Sequence, residues 1–234
     1  MEFIQKNQIF DKIFGIKGHT QLIQRSSEFL RFLIGEGTLS TAELETVWSS
    51  TRKGDAETRL ATYKVLSDIA LHFHTTHLNY LIEKISEIAP EEIVPEEIDL
   101  AYELNKQLPK SAGFAKKVLG FYWNIITDTN EQYTAEISEL TLTKFSDILR
   151  SWDYKDDRLE YLHTALENIE KGIAVLASLR TMKKLIEHYP TSNSAVEKLT
   201  RKACIEHLCN DKNLLSILLE VLDYENNALI IPRI

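Results

Sequence analysis

Apolar side chains recur three and four residues apart along almost the whole chain, the period of a helix with one buried face. Phe3, Ile4, Ile9, Phe10, Ile13 and Phe14 fit a short amphipathic helix ending at Gly15. Thr20 is placed to cap a second helix, which buries Leu22, Ile23, Phe29, Leu30, Leu33 and Ile34 and stops at Gly35 or Gly37. Ser40 followed by Glu43 spells a capping box, in which each side chain satisfies the other residue's free backbone N–H. A third helix starts there, with Leu44, Val47 and Trp48 on one face. Gly54 and Asp55 break the chain and cap a fourth, which runs to about Phe73 with Leu60, Tyr63, Leu66, Ile69 and Ala70 inward. Thr76 caps a fifth that carries Leu78, Leu81, Ile82, Ile85 and Ile88.

Pro90 ends that helix, and Pro95 fits the first position of the next, where a missing N–H costs nothing. Glu96 and Glu97 then sit at the positive end of the helix dipole, so the acidic run PEEIVPEE reads as helix chemistry rather than as a docking motif. Past Pro109, Phe114, Val118, Phe121, Tyr122, Ile125 and Ile126 mark a seventh helix, and Thr134 opens an eighth through Ile148 and Leu149 to Trp152. Leu159, Leu162, Leu166, Ile169 and Ile173 form a core stripe that Gly172 interrupts too early for a coiled coil. A tenth helix runs from Ile173 to about His188. Ser194 with Glu197 is a second capping box, and Asp211 or Asn213 opens a last helix with Leu214, Leu215, Ile217, Leu218, Val221 and Leu222.

About a dozen helices with short links predict an all-α protein whose neighbours pair antiparallel. Pairs recurring at roughly 40 residues are the arithmetic of armadillo or HEAT arrays. The expected architecture is an α-solenoid with degenerate repeats, one helical-repeat segment over residues 1–234. Both ends are apolar, Met1 leading into a helix and residues 228–234 reading ALIIPRI, where a solenoid end normally carries a polar cap. The segment is therefore expected to be a fragment of a much longer chain.

Composition agrees with this picture. Eight glycines and five prolines in 234 residues are about half the usual share, too few for the turns a strand-rich fold needs. The formal charge of −8 repels phosphate backbones, and the lysines and arginines gather only into doublets such as Arg52–Lys53 and Lys183–Lys184, so no nucleic acid is expected. No stretch of about 18 apolar residues lacks charge, so no membrane partner is expected either. Two cysteines, Cys204 and Cys209, lie five apart and so do not share a helix face. Free thiols without a disulfide framework suggest a reducing compartment, the cytoplasm with the nucleus as alternative.

Candidate chemistry is sparse. His72, His74 and His77 cluster in sequence, yet a closed zinc site wants four ligands and the motif falls at a helix junction, where imidazoles suit the dipole. Cys204 with His207 shares a helix face, but KACIEHLC supplies no oxyanion site, and a buried core thiol is the reading adopted. Trp48, Trp123 and Trp152 sit at core spacing, with an exposed interface anchor as the other role one of them could take. Phosphate-binding, dinucleotide, metalloprotease and nucleophile-elbow motifs are absent. The sequence assigns no catalytic, cofactor-binding or metal-binding residue, and no cofactor.

One stretch carries a resemblance. LIQRSSEFLRFLIGEGTLSTAELETVW, residues 22–48, is similar to the helical region preceding the catalytic domain of very large ubiquitin-specific proteases of the fat-facets type. The matching positions are Leu22, Ile23, Arg25, Ser26, Phe29, Leu30, Phe32 and Leu33, then Leu39, Ser40, Leu44 and Trp48. Downstream, Trp123–Asn124 resembles the family's L-W-N segment. LHTALENIEKGIAVLASLRTMKKLI, residues 162–186, resembles its C-L-E-N-I segment, with Thr164 in place of the cysteine. The stretch from about Pro90 to Ser111 matches less well.

The resemblance implies an armadillo/HEAT-like scaffold within a cysteine-type deubiquitinase, a ubiquitin carboxyl-terminal hydrolase and thiol protease of the ubiquitin-conjugation pathway. It also implies that this segment is not the catalytic part, because the Cys and His boxes of such proteases lie hundreds of residues apart. The expected function is recognition of proteins: substrates, regulators or other parts of the parent chain. A free-standing helical-repeat adaptor in transport or complex assembly is the second reading, which fold alone does not separate from the first.

Overall fold

A computed structural model describes residue 4 and residues 6–15, 19–106, 112–187, 189 and 195–220. Among the described residues the secondary structure is helical, with no strand. Twelve α-helices are delimited: α1 Ile9–Phe14, α2 Thr20–Gln24, α3 Ser27–Gly35, α4 Thr41–Lys53, α5 Ala56–Ile69, α6 Thr75–Ser86, α7 Pro95–Lys106, α8 Ala112–Ile126, α9 Ala135–Arg150, α10 Lys155–Glu170, α11 Val175–Glu187 and α12 Ala195–Asn210. Residues 214–220 are also helical. Short 3-10 turns occupy Ala70–His72, Pro90–Glu92 and Trp152–Tyr154. The chain divides into two compact units, Met1–Tyr122 and Trp123–Ile234.

In the first unit α5 is the hub, packed by α2, α3, α4 and α7. Its entry follows the sequence: Asp55 accepts the Thr58 N–H at 2.8 Å, and the N-cap of α4 is the Ser40–Glu43 capping box. The tight link between α4 and α5 needs Gly54, since a Cβ there would stand 2.6 Å from Thr58 Cγ2 and 2.7 Å from the Ser50 carbonyl. Ile23, Leu30, Leu44, Val47, Leu66, Ile69, Leu78, Leu81 and Ile85 fill the core. Each such side chain removed from water contributes about 1.5–3 kcal/mol. Tyr122 is fully buried, and its hydroxyl donates to the Ile98 carbonyl at 2.7 Å. Burial holds that phenol well above its ordinary pKa, with Asp99 and other neighbours adding to the effect.

In the second unit α9, α10 and α11 pack pairwise. Thr134 caps α9 as expected, accepting the Ile137 N–H at 3.3 Å. Phe145, Leu149, Leu162, Ala165, Leu166, Ile169 and Leu185 form the core. Gly172 ends the α10 segment with φ +69°. Arg158 is nearly fully buried: its Nε donates to the Leu149 carbonyl at 2.6 Å and its Nη2 to the Ser151 carbonyl at 2.8 Å. The guanidinium lies 4.6 Å from the centre of the Tyr189 ring.

Several boundaries and faces differ from the sequence expectation. The helix expected from Thr20 to Gly35 is broken at Arg25–Ser26, because the Ser26 hydroxyl bonds the Ile23 carbonyl at 2.7 Å and competes with the helix ladder. The fourth helix stops at Ile69 and tightens into the 3-10 turn, and α6 starts at Thr75, two residues before the position that a Thr76 cap implies. Leu22, Leu60, Leu159, Ile173 and Leu215, read as core, are exposed. The second capping box falls on Ser194 and the Glu197 side chain, outside the described residues.

Candidate functional site

The histidine cluster lies at the α5–α6 junction. His72 and His74 are exposed, and His77 is buried with its Nε2 3.0 Å from the Leu39 carbonyl. The His77 ring meets Phe73 edge-on at 5.7 Å between centres, and burial holds it below its usual pKa. The carbonyl contact fixes the N–H on Nε2, so His77 ties the loop before α4 to α6. It packs as a core histidine.

Cys204 and His207 sit one turn apart on α12, and both nitrogens of the imidazole are engaged by other residues. His207 directs Nε2 to His163 Nε2 at 3.1 Å and Nδ1 to Asp211 Oδ2 at 2.7 Å. Burial pushes the Cys204 thiol above its ordinary pKa, outweighing the nearby Arg158 cation. A nucleophilic cysteine needs the opposite shift. Both cysteines are half-buried rather than core residues, which corrects the sequence reading of Cys204: α12 leaves that face partly open to water.

The tryptophans separate. Trp48 is buried against the edge of Tyr63 at 6.2 Å. Trp123 is half-buried in a cluster with Tyr161 at 5.3 Å and Phe145 at 5.9 Å. Burial raises the Tyr161 phenol to about 12, with Glu160 and Asp157 adding to the shift. Trp152, expected in the core, is 40% exposed in a 3-10 turn, with Lys155 Nζ 5.9 Å from its ring centre. α9 ends two residues before it, so its side chain falls off the core stripe.

The most constrained polar site in the first unit was not visible in the sequence. Glu97 has no exposed side-chain surface. Its Oε1 accepts from Arg52 Nη1 at 2.7 Å and from the Tyr63 hydroxyl, and its Oε2 accepts the Val94 N–H at 2.8 Å. Arg52 Nη2 also reaches Glu92 Oε2 at 2.7 Å. α4, α5 and the link at Val94 are thus tied to one carboxylate of α7, and Arg52 extends the network to the 3-10 turn at Pro90. The available signal was partial: a glutamate at the third helical position bonding back to the residue before the helix is half of a capping box. Nothing local pointed to Arg52.

In the first unit, α1 and α4 border an open cleft of ≈ 740 Å³ lined among others by Asp11, Phe14, Glu45, Ser49, Lys53 and Asp55. Its volume falls within the usual range for a binding pocket. Glu45 is fixed there by Ser49 Oγ at 3.2 Å and by the Tyr80 hydroxyl. Among the described residues no group of three or more His, Cys, Asp or Glu side chains forms a metal site, and no helix is long and apolar enough to cross a membrane.

The profile described as the UBP24/USP9X/USP9Y ARM repeat covers residues 1–230. The all-α armadillo architecture expected from the helix pattern is the one that this match and the observed helices give. No curated protein matches the chain.

Proposed function

The chain belongs to the UBP24/USP9X/USP9Y ARM repeat family, and on that premise we propose that it is a non-catalytic recognition scaffold of a large cysteine-type deubiquitinase. The observation that carries the reading is the family match over nearly the entire chain. Stacked helices present extended surface on which another protein can lie. A segment that holds a substrate or regulator raises its local concentration at a distant active site. The two chemical candidates in the chain fit a supporting role. Cys204 is held as a thiol, and His77 is spent on a backbone carbonyl.

The partners are proteins, namely ubiquitylated substrates, regulators or other parts of the parent polypeptide. The cleft beside α1 and α4 is a concavity of a size to receive a peptide segment. A net charge of −8 argues against nucleic acid and anionic membranes, and free thiols suit the cytoplasm or nucleus.

Competition tests this reading. The purified chain is added in excess to a full-length protease of this family that is acting on a ubiquitylated protein substrate. Slower turnover of that substrate, with unchanged cleavage of a ubiquitin–fluorophore conjugate, is the expected result. Equal slowing of both, or of neither, contradicts it.

A further inference from the structure

Three titratable side chains of the second unit join in one line of hydrogen bonds. Asp211 Oδ2 lies 2.7 Å from His207 Nδ1, and His207 Nε2 lies 3.1 Å from His163 Nε2. The ring centres are 5.2 Å apart, so each ring points its Nε2 along the line to the other. That head-on approach is the geometry of one N–H shared by two nitrogens. Both imidazoles are half-buried, and the contact joins α10 to α12 across 44 residues of sequence. We propose that Asp211, His207 and His163 form an acid-released clamp between α10 and α12, closed while at most one of the two facing nitrogens carries a proton and open when both do.

Proton counting gives the behaviour. The Asp211 carboxylate accepts the Nδ1–H of His207, which leaves that ring's Nε2 with its lone pair. His163 then donates its own Nε2–H. One further proton can settle on His163 Nδ1 without disturbing the contact. A second must go to His207 Nε2, and it sets two N–H groups head to head.

The surroundings of His163 resist a proton on that ring. Burial holds the His163 imidazole below its usual pKa, the Lys212 ammonium and His207 push the same way, and only Glu167 opposes them. In the unfolded chain the His163 ring titrates near its ordinary value of about 6.5. Below that pH the unfolded chain therefore holds more protons than the folded one, and stability falls as pH falls. The two steps belong to the pair rather than to either ring.

The test follows thermal unfolding of the whole chain between about pH 7.5 and pH 5, beside His163→Gln. The glutamine amide keeps a donor toward His207 but does not titrate. The wild-type midpoint is expected to fall by roughly 2–4 °C more than the variant's over this range. Equal falls overturn the clamp. Ring-proton NMR of the unaltered chain provides a second readout that does not depend on the variant folding. A His163 titration curve displaced below the ordinary imidazole midpoint and coupled to that of His207 supports the clamp, and two independent curves overturn it.

Discussion

Arg52 and Glu97 are 45 residues apart in sequence and 2.7 Å apart in space, and the glutamate side chain has no exposed surface. A carboxylate removed from water costs several kcal/mol unless it is paired and fully hydrogen-bonded. Arg52, Tyr63 and the Val94 N–H together meet that need. Removing the cation leaves the charge buried without its counter-ion. Arg52→Met is expected to lower unfolding free energy by about 3 kcal/mol, the lower end for a broken buried pair because the guanidinium is partly exposed. Glu97→Gln keeps one acceptor oxygen and buries no charge, and Arg52 retains Glu92, so it is expected to cost less. Denaturant unfolding of the two variants checks the order.

Alkaline pH probes the same node. The Tyr63 phenol is held well above its ordinary range, first by burial and then by the Glu97 carboxylate that its hydroxyl bonds. A folded-state pKa above the unfolded one gives stability that is complete below about pH 10 and lost as pH rises beyond it. The unfolding midpoint is expected to drop above about pH 10, and Tyr63→Phe is expected to shrink that drop. Thermal melts of both proteins between about pH 8 and pH 11 measure it.

Two glycines are expected to respond in opposite directions. Gly172 holds φ +69° at the end of the α10 segment, a conformation that costs a side chain about 1 kcal/mol, so Gly172→Ala destabilises. Gly120 lies inside α8, where an added Cβ meets nothing within 4 Å. Gly120→Ala is expected to stabilise by about 0.5–1 kcal/mol. Chemical denaturation of the two single variants distinguishes the signs.

The aromatic cluster of the second unit gives a packing test. Phe145 is fully buried, with its ring 4.9 Å from that of Tyr161 and 5.9 Å from that of Trp123. Phe145→Ala is expected to cost about 3–5 kcal/mol and to leave a cavity beside Trp123. Tryptophan fluorescence and the unfolding midpoint report it together.

The helices were legible in the sequence because their causes are local. The apolar period, the Ser40–Glu43 box, the Asp55 and Thr134 caps and the first-turn proline of α7 act within a few residues, and each stands where the pattern placed it. Ser26 escaped the pattern because a side-chain bond to the Ile23 carbonyl competes with helix propensity and leaves no periodic trace. Leu60 and Leu159 carry the right spacing but lie on faces that no neighbouring helix covers. The polar sites were the least legible part. Glu97 reads as an ordinary first-turn acid until Arg52 is brought to it, and nothing in the sequence around His207 points to His163. Those contacts depend on which helices pack together, which no local signal carries.

The central claim is that this segment recognises proteins and leaves catalysis to another part of a deubiquitinase. The most direct measurement removes the segment from the protease that carries it and compares two rates. The account predicts unchanged cleavage of a ubiquitin–fluorophore conjugate and at least tenfold slower turnover of a ubiquitylated protein substrate, the scale of about 1.4 kcal/mol of lost binding. Loss of both activities together, or of neither, would contradict it.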